Sequence, residues 1–178
     1  EETGIRALLG ETIIQQETCD AMDANEGLQL AERFITTWKN SRLITPMIAP
    51  HATNTNDGNI FAQAMEIAMR HDTMLTTHVA EMDYEMAYFR DTYDMTPVEW
   101  LDSIHCLNEH ILAAHCIQVN DNDLSLMKRR NVSVAHCPVS NMKAAKGIAP
   151  VRDMERYGIP VGFGSDGASS GNTLDLFV

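Results

Sequence analysis

Basic residues are scarce in this chain. Its 13 Lys and Arg stand against 25 Asp and Glu, for a formal net charge of −12. Nucleic acids and anionic membranes both reward clustered positive charge, so this balance argues against either as a partner. The densest basic run, Lys128-Arg129-Arg130, reads as the solvated end of a helix. Cysteines are few as well. Cys19, Cys106, Cys116 and Cys137 form no C-x-x-C pair, which argues against a thiolate zinc knuckle. They are also too sparse for the disulfide framework of a small secreted domain, so reduced thiols in a cytoplasm are expected. No charged-then-apolar leader opens the sequence, and no apolar run is long enough to span a bilayer. Asn131-Val132-Ser133 fits the glycosylation pattern, but it falls in an expected buried strand.

What is present is a regular alternation. The 178 residues are 44% hydrophobic, enough for a sizeable core in one domain or part of one. Short apolar runs alternate with amphipathic stretches, which reads as repeated βα units around a parallel sheet. Strands are expected at residues 5–9, 43–49, 74–77, 111–114, 132–135 and 161–163. Leu28, Leu30, Ala31, Phe34, Ile35 and Trp38 recur at helical spacing over residues 26–38. Asn56 or Asp57 can cap a helix through Phe61, Ala64, Met65 and Ala68. Thr96-Pro97-Val98-Glu99 offers a cap, a proline at the first helical position and a capping-box acid. A short helix is expected over residues 121–130, and another opens at Pro150 and ends at Gly158.

Six units are visible, whereas a closed (β/α)₈ barrel needs eight strands and about 250 residues. Residues 1–4 read as the tail of a helix and residues 174–178 as the start of another. The expectation is an internal piece of a larger protein, with no linker or domain boundary inside it.

Several expected strands end in a polar residue suited to metal or acid–base chemistry. His51, His78, His115, His136 and Asp166 each close an apolar run. Parallel barrel strands deliver such side chains from their C-terminal ends to one mouth. Imidazoles and a carboxylate converging there suggest a metal that activates water. Glu81 lies three residues after His78 and can reach the substrate side of such a site. Asp166 sits in Gly164-Ser165-Asp166-Gly167, where glycines let backbone crowd a site, although Asp-Gly is also a common turn pair. His115 is suited to orient an attacking hydroxide, and His136 to a supporting role. Two buried core histidines are the plainer alternative for that pair. His71, His105 and His110 fall in helix ends or loops and are expected to be solvated.

At these residues the chain resembles the amidohydrolase superfamily, in its chlorohydrolase and aminohydrolase branch. The segments that carry the resemblance include Thr77-His78-Val79-Ala80-Glu81 and Ala113-Ala114-His115-Cys116. Three more are highly specific together: the run from Ala135-His136-Cys137-Pro138 to Lys143, Gly147-Ile148-Ala149-Pro150-Val151, and Gly164-Ser165-Asp166-Gly167-Ala168-Ser169-Ser170. Within the branch the chain looks most like the 5-methylthioadenosine/S-adenosylhomocysteine deaminases.

That resemblance implies an α/β (β/α)₈ TIM barrel of the metal-dependent hydrolase type, of which residues 1–178 supply strands three to eight. It implies one divalent metal, zinc first and iron second. By the same resemblance, His78 and Asp166 are metal ligands, and Glu81, His115 and Asp166 are catalytic. His51 contacts substrate, with Ser140, Asn141 and Asn172 shaping the pocket. The family's H-x-H pair on the first barrel strand has no counterpart here and is expected upstream. Relatives tend to carry an apolar or aromatic residue soon after the counterpart of His51, where this chain reads Ala52-Thr53-Asn54-Thr55-Asn56.

The implied activity is hydrolytic deamination of an aminopurine nucleoside or related heterocycle. A guanine or cytosine deaminase, a triazine chlorohydrolase, a barrel that only binds ligand, and a non-catalytic fragment are the alternatives. Chloride leaves without a proton and an amine does not, so Glu81 favours deamination. The implied partners are a small heterocyclic amine and, through open barrel edges, further copies of the chain. The other zinc deaminase architecture requires Pro-Cys-x-x-Cys, which is absent.

Overall fold

The computed structural model describes residue 2, residues 4–172 and residues 174–175. The helix tail expected at residues 1–4 and the helix start expected at residues 174–178 lie largely outside the described residues. The chain divides into two compact units, Glu1–Thr77 and His78–Val178.

The first unit alternates strand and helix. β1 (Ala7–Ile13) pairs in parallel with β2 (Ile44–Pro50) in one unbroken register, from Ala7 opposite Ile44 to Ile13 opposite Pro50. β1 therefore runs four residues past the expected 5–9. Gly10 is what permits this: a Cβ there would lie 3.0 Å from Ala49 Cβ and 3.1 Å from Met47 Cγ. The pairing overrides the weak strand propensity of Gly10 and Glu11.

Between these strands lies α1 (Ala24–Trp38), capped by Asp23, whose carboxylate accepts from Asn25 and Glu26 N–H. It buries Leu28, Ala31 and Ile35. α2 (Gly58–His71) is capped by Asp57 through Ile60 N–H, settling the choice between Asn56 and Asp57. Phe61, Ala64, Ala68 and Ile48 are wholly buried in this unit. His71 is a correction. It is half-buried, with Nε2 3.0 Å from Glu32 Oε1, because α2 packs beside α1 and brings that carboxylate to it. β3 (Leu75–Val79) pairs with β2 and crosses into the second unit.

In the second unit, β4 (Ile111–His115), β5 (Ser133–His136) and β6 (Val161–Phe163) follow in sequence order, and β5 pairs in parallel with both neighbours. α3 (Asp83–Tyr93) and α4 (Pro97–Ser103) precede β4. Thr96 and Glu99 form the expected capping box at α4. α5 (Asp121–Arg129) is capped by Asn120 and followed by β5. α6 (Pro138–Lys143) leads to α7 (Val151–Tyr157), which stops at Gly158 in the left-handed conformation. α8 (Ala168–Gly171) follows β6. The sequence pattern did not foretell α3, α6 or α8. α6 and α8 are too short to show a period, and α3 exposes Tyr84, Tyr88 and Tyr93, which blurs its apolar stripe.

Phe89, Val98, Leu101 and Ile111 are wholly buried in this unit. Phe89 lies 5.0 Å from the Trp100 ring and 5.7 Å from Tyr93, joining α3 to α4.

Candidate active site

The second unit gathers six of the expected site residues. His78 is the penultimate residue of β3, His115 closes β4, and Glu81 follows β3 on a short loop. Ser140 and Asn141 lie on α6, and Asp166 follows β6.

The backbone is bent to make this possible. Ala80 (φ 50°), His115 (φ 69°), Cys116 (φ 49°) and Asp166 (φ 57°) all occupy the left-handed region. Such conformations cost non-glycine residues about 1–3 kcal/mol each and persist where surrounding contacts impose them. One such contact is Glu85, which is buried and was not singled out from the sequence. Its carboxylate accepts from Ala80 N–H at 2.9 Å and Glu81 N–H at 2.8 Å. It thereby pins the loop that carries Glu81. A glutamate in the first turn of a helix, at the capping-box position of α3, was the available signal.

His115 is wholly buried, and its ring stacks on that of His78 with centroids 5.2 Å apart. Its Nδ1 is 2.8 Å from Asn141 Oδ1. An amide oxygen only accepts, so Nδ1 carries a proton and Nε2 is the ring nitrogen turned into the site. Nε2 lies 3.4 Å from Glu81 Oε1 and 4.0 Å from Asp166 Oδ2, yet it has no hydrogen bond. The 3.4 Å separation is proximity without hydrogen-bond alignment. A ring nitrogen facing two carboxylates calls for a proton on it or a cation among them.

Three of these residues can supply one. His78, Glu81 and His115 offer ligand atoms that all lie within 4.8 Å of one another, so the cluster can hold a metal ion. Asp166 stands beside this group through its approach to His115. Burial pushes the Asp166 carboxyl up, but the Ser140 hydroxyl, the Gly167 N–H, His115 and Lys146 outweigh it and hold the group below its ordinary value. Ser140 Oγ donates at 2.6 Å and Gly167 N–H at 2.7 Å.

The other expected residues are placed differently. Asn172 is exposed, and its Oδ1 accepts from Lys143 Nζ at 2.6 Å. His136 is buried, with Nδ1 unpartnered and its ring 6.1 Å from Phe163. Burial, then the charge of His115, lowers its pKa. His51 belongs to the first unit, where its Nδ1 is 3.1 Å from Thr55 Oγ1.

Parallel strands alternating with helices, with imidazoles and carboxylates collected at strand ends, define an α/β protein of the (β/α)₈-barrel class, and this chain is consistent with a part of such a barrel. The sequence matches the amidohydrolase family over residues 1–178, and the chain belongs to that family. It is 40% identical over 179 residues to a 5-methylthioadenosine/S-adenosylhomocysteine deaminase of Halothermothrix orenii, covering 99% of this chain and 40% of that protein. It is 38% identical to a 5'-deoxyadenosine deaminase of Methanothrix thermoacetophila, over 99% of this chain and 41% of that one. Among solved structures, an adenosine deaminase from Xanthomonas campestris with bound Zn superposes with a TM-score of 0.95 at 32% identity, over 99% of this chain and 40% of its own. The chain therefore spans about 40% of the length of the relatives it matches.

Proposed function

We propose that this chain belongs to a metal-dependent deaminase that releases ammonia from an aminopurine nucleoside, with adenosine-type thioethers first among substrates. The observation that carries this reading is the buried His115 Nε2, which faces Glu81 at 3.4 Å and Asp166 at 4.0 Å. Two carboxylates beside one imidazole are what a hydrolysis with two proton movements needs. The deaminase names borne by relatives at 38–40% identity support the same choice.

His78 and Asp166 are the residues assigned to hold the metal, zinc before iron. A divalent ion supplies Lewis acidity and makes water a competent nucleophile near neutral pH. The rest falls to the chain. Asp166 takes a proton from the attacking water. His115, held by Asn141, orients the nucleophile toward the amine-bearing ring carbon. Glu81 hands a proton to the adjacent ring nitrogen. Asp166 passes the proton it took to the amine, the carbon–nitrogen bond breaks, and the amine leaves as ammonia. Ser140 keeps Asp166 aimed, and His51 and Asn172 are assigned to substrate contact.

We read residues 1–178 as part of one amidohydrolase barrel domain in a cytoplasmic protein that forms homo-oligomers and binds neither nucleic acid nor membrane. Among the described residues no helix is long and apolar enough to cross a membrane.

The test is ammonia release by the full-length metal-loaded protein across adenosine thioethers, guanine, cytosine and chlorinated triazines. Turnover of a purine nucleoside is expected. Glu81→Gln should retain metal and lose about 100-fold or more in kcat, the usual scale for general acid–base catalysis. Chloride release without ammonia would move the assignment to a chlorohydrolase.

A further inference from the structure

Lys146 has no part in the chemistry above, yet it reaches into the site. It follows α6 on a tight turn. Its N–H donates to Asn141 O at 2.9 Å, Ala145 before it has φ 52°, and Gly147 after it has φ 116°. A Cβ on Gly147 would lie 2.9 Å from Ile117 Cγ2, so the turn passes close over the unit's core. Its Nζ donates to Glu81 Oε1, and the two side chains are only 15% and 14% exposed. An ammonium kept this far from water requires such a partner.

Glu81 has two incompatible uses. Its carboxylate lies within reach of a cation shared with His78 and His115. It is also the group assigned to carry a proton to the substrate ring. An oxygen bound to the metal is not free to reach the substrate ring, so ligation and proton delivery compete for the same carboxylate.

We propose that Lys146 is a positioning residue that decides between these uses: by holding Oε1 it keeps Glu81 out of the metal's coordination shell and leaves the carboxylate for proton transfer. The consequence for turnover rests on the deaminase reading, whereas the consequence for metal binding does not.

The experiment uses the full-length protein, stripped of metal and titrated with Co²⁺, whose visible absorption reports the ligand set. Lys146→Met is expected to bind Co²⁺ about 10-fold tighter, on the scale by which groups around a metal site tune affinity, and to shift the visible bands. The gain should vanish in the Glu81→Gln/Lys146→Met double variant, and Lys146→Arg should resemble the parent. In turnover, Lys146→Met should lose about 100-fold in kcat while KM stays within about 3-fold, and Lys146→Arg should recover most of the loss. Unchanged cobalt affinity and bands in a folded Lys146→Met overturn the inference whatever the activity. A rise in KM alone also overturns it, because it would place Lys146 on the substrate. If Lys146→Met does not fold, Lys146→Ala titrated with ethylammonium decides: return of the parent bands supports the proposal, and no response overturns it. A parent protein that deaminates nothing would sink the deaminase reading and still leave the cobalt comparison decisive.

Discussion

Ser140 Oγ donates a hydrogen bond to Asp166 Oδ2 at 2.6 Å, joining the start of α6 to the loop after β6. The bond stabilises the ionised carboxylate and opposes the burial that would raise its pKa. Ser140→Ala should therefore move the Asp166 titration upward. A group whose pKa is depressed on folding contributes stability above its ordinary value, here 3.8, and loses it as pH falls through the lower folded value. The variant should therefore be less stable than the parent near neutrality and converge with it at low pH, where the carboxyl is protonated in both. Carbon-detected NMR titration of the carboxyl in the metal-free chain checks this, and an unmoved midpoint would remove Ser140 from the account.

Asn141 sets the His115 tautomer through the 2.8 Å contact at Nδ1. Asn141→Leu leaves a buried N–H without its acceptor, which costs about 1–3 kcal/mol. It also frees the ring to rotate. Turnover in the full-length protein should fall about 10–100-fold, as for other groups that orient a site's histidines. Asn141→Asp restores an acceptor and should recover part of the loss. Equal damage from both variants would show that the amide, not the acceptor, matters.

Phe89 is wholly buried against Trp100 and Tyr93. Phe89→Ala removes that packing and opens a cavity, at a cost of about 4 kcal/mol. Urea unfolding followed by tryptophan fluorescence measures it. Because α3 begins two residues after Glu81, the same variant should also loosen the loop held by Glu85.

The four cysteines should divide sharply toward a thiol reagent at pH 8. Cys19 is exposed, whereas Cys106, Cys116 and Cys137 are buried. Burial pushes the Cys106 thiol up to about 12 and Cys137 to about 11, and raises Cys116 further. One thiol should react quickly and three only after denaturation. Fast modification of a second thiol in the folded chain would contradict the packing around β4 and β5.

The sequence by itself determined the elements whose causes are local. Asp57, Thr96 and Asn120 cap helices through N–H groups two or three residues away, and Gly158 ends α7 by its own backbone freedom. The alternation of apolar runs was enough for β2 through β6 to within two residues. The histidines and Asp166 at the ends of those runs were legible for the same reason: a strand's end is marked where its apolar stretch stops. The relations among them were not legible. Lys146 meets Glu81 across 65 residues, and Ser140 meets Asp166 across 26. No period or cap signal links positions so far apart. Only the packed chain brings them together, and it also forces Ala80, His115 and Asp166 into backbone conformations that their residue types disfavour.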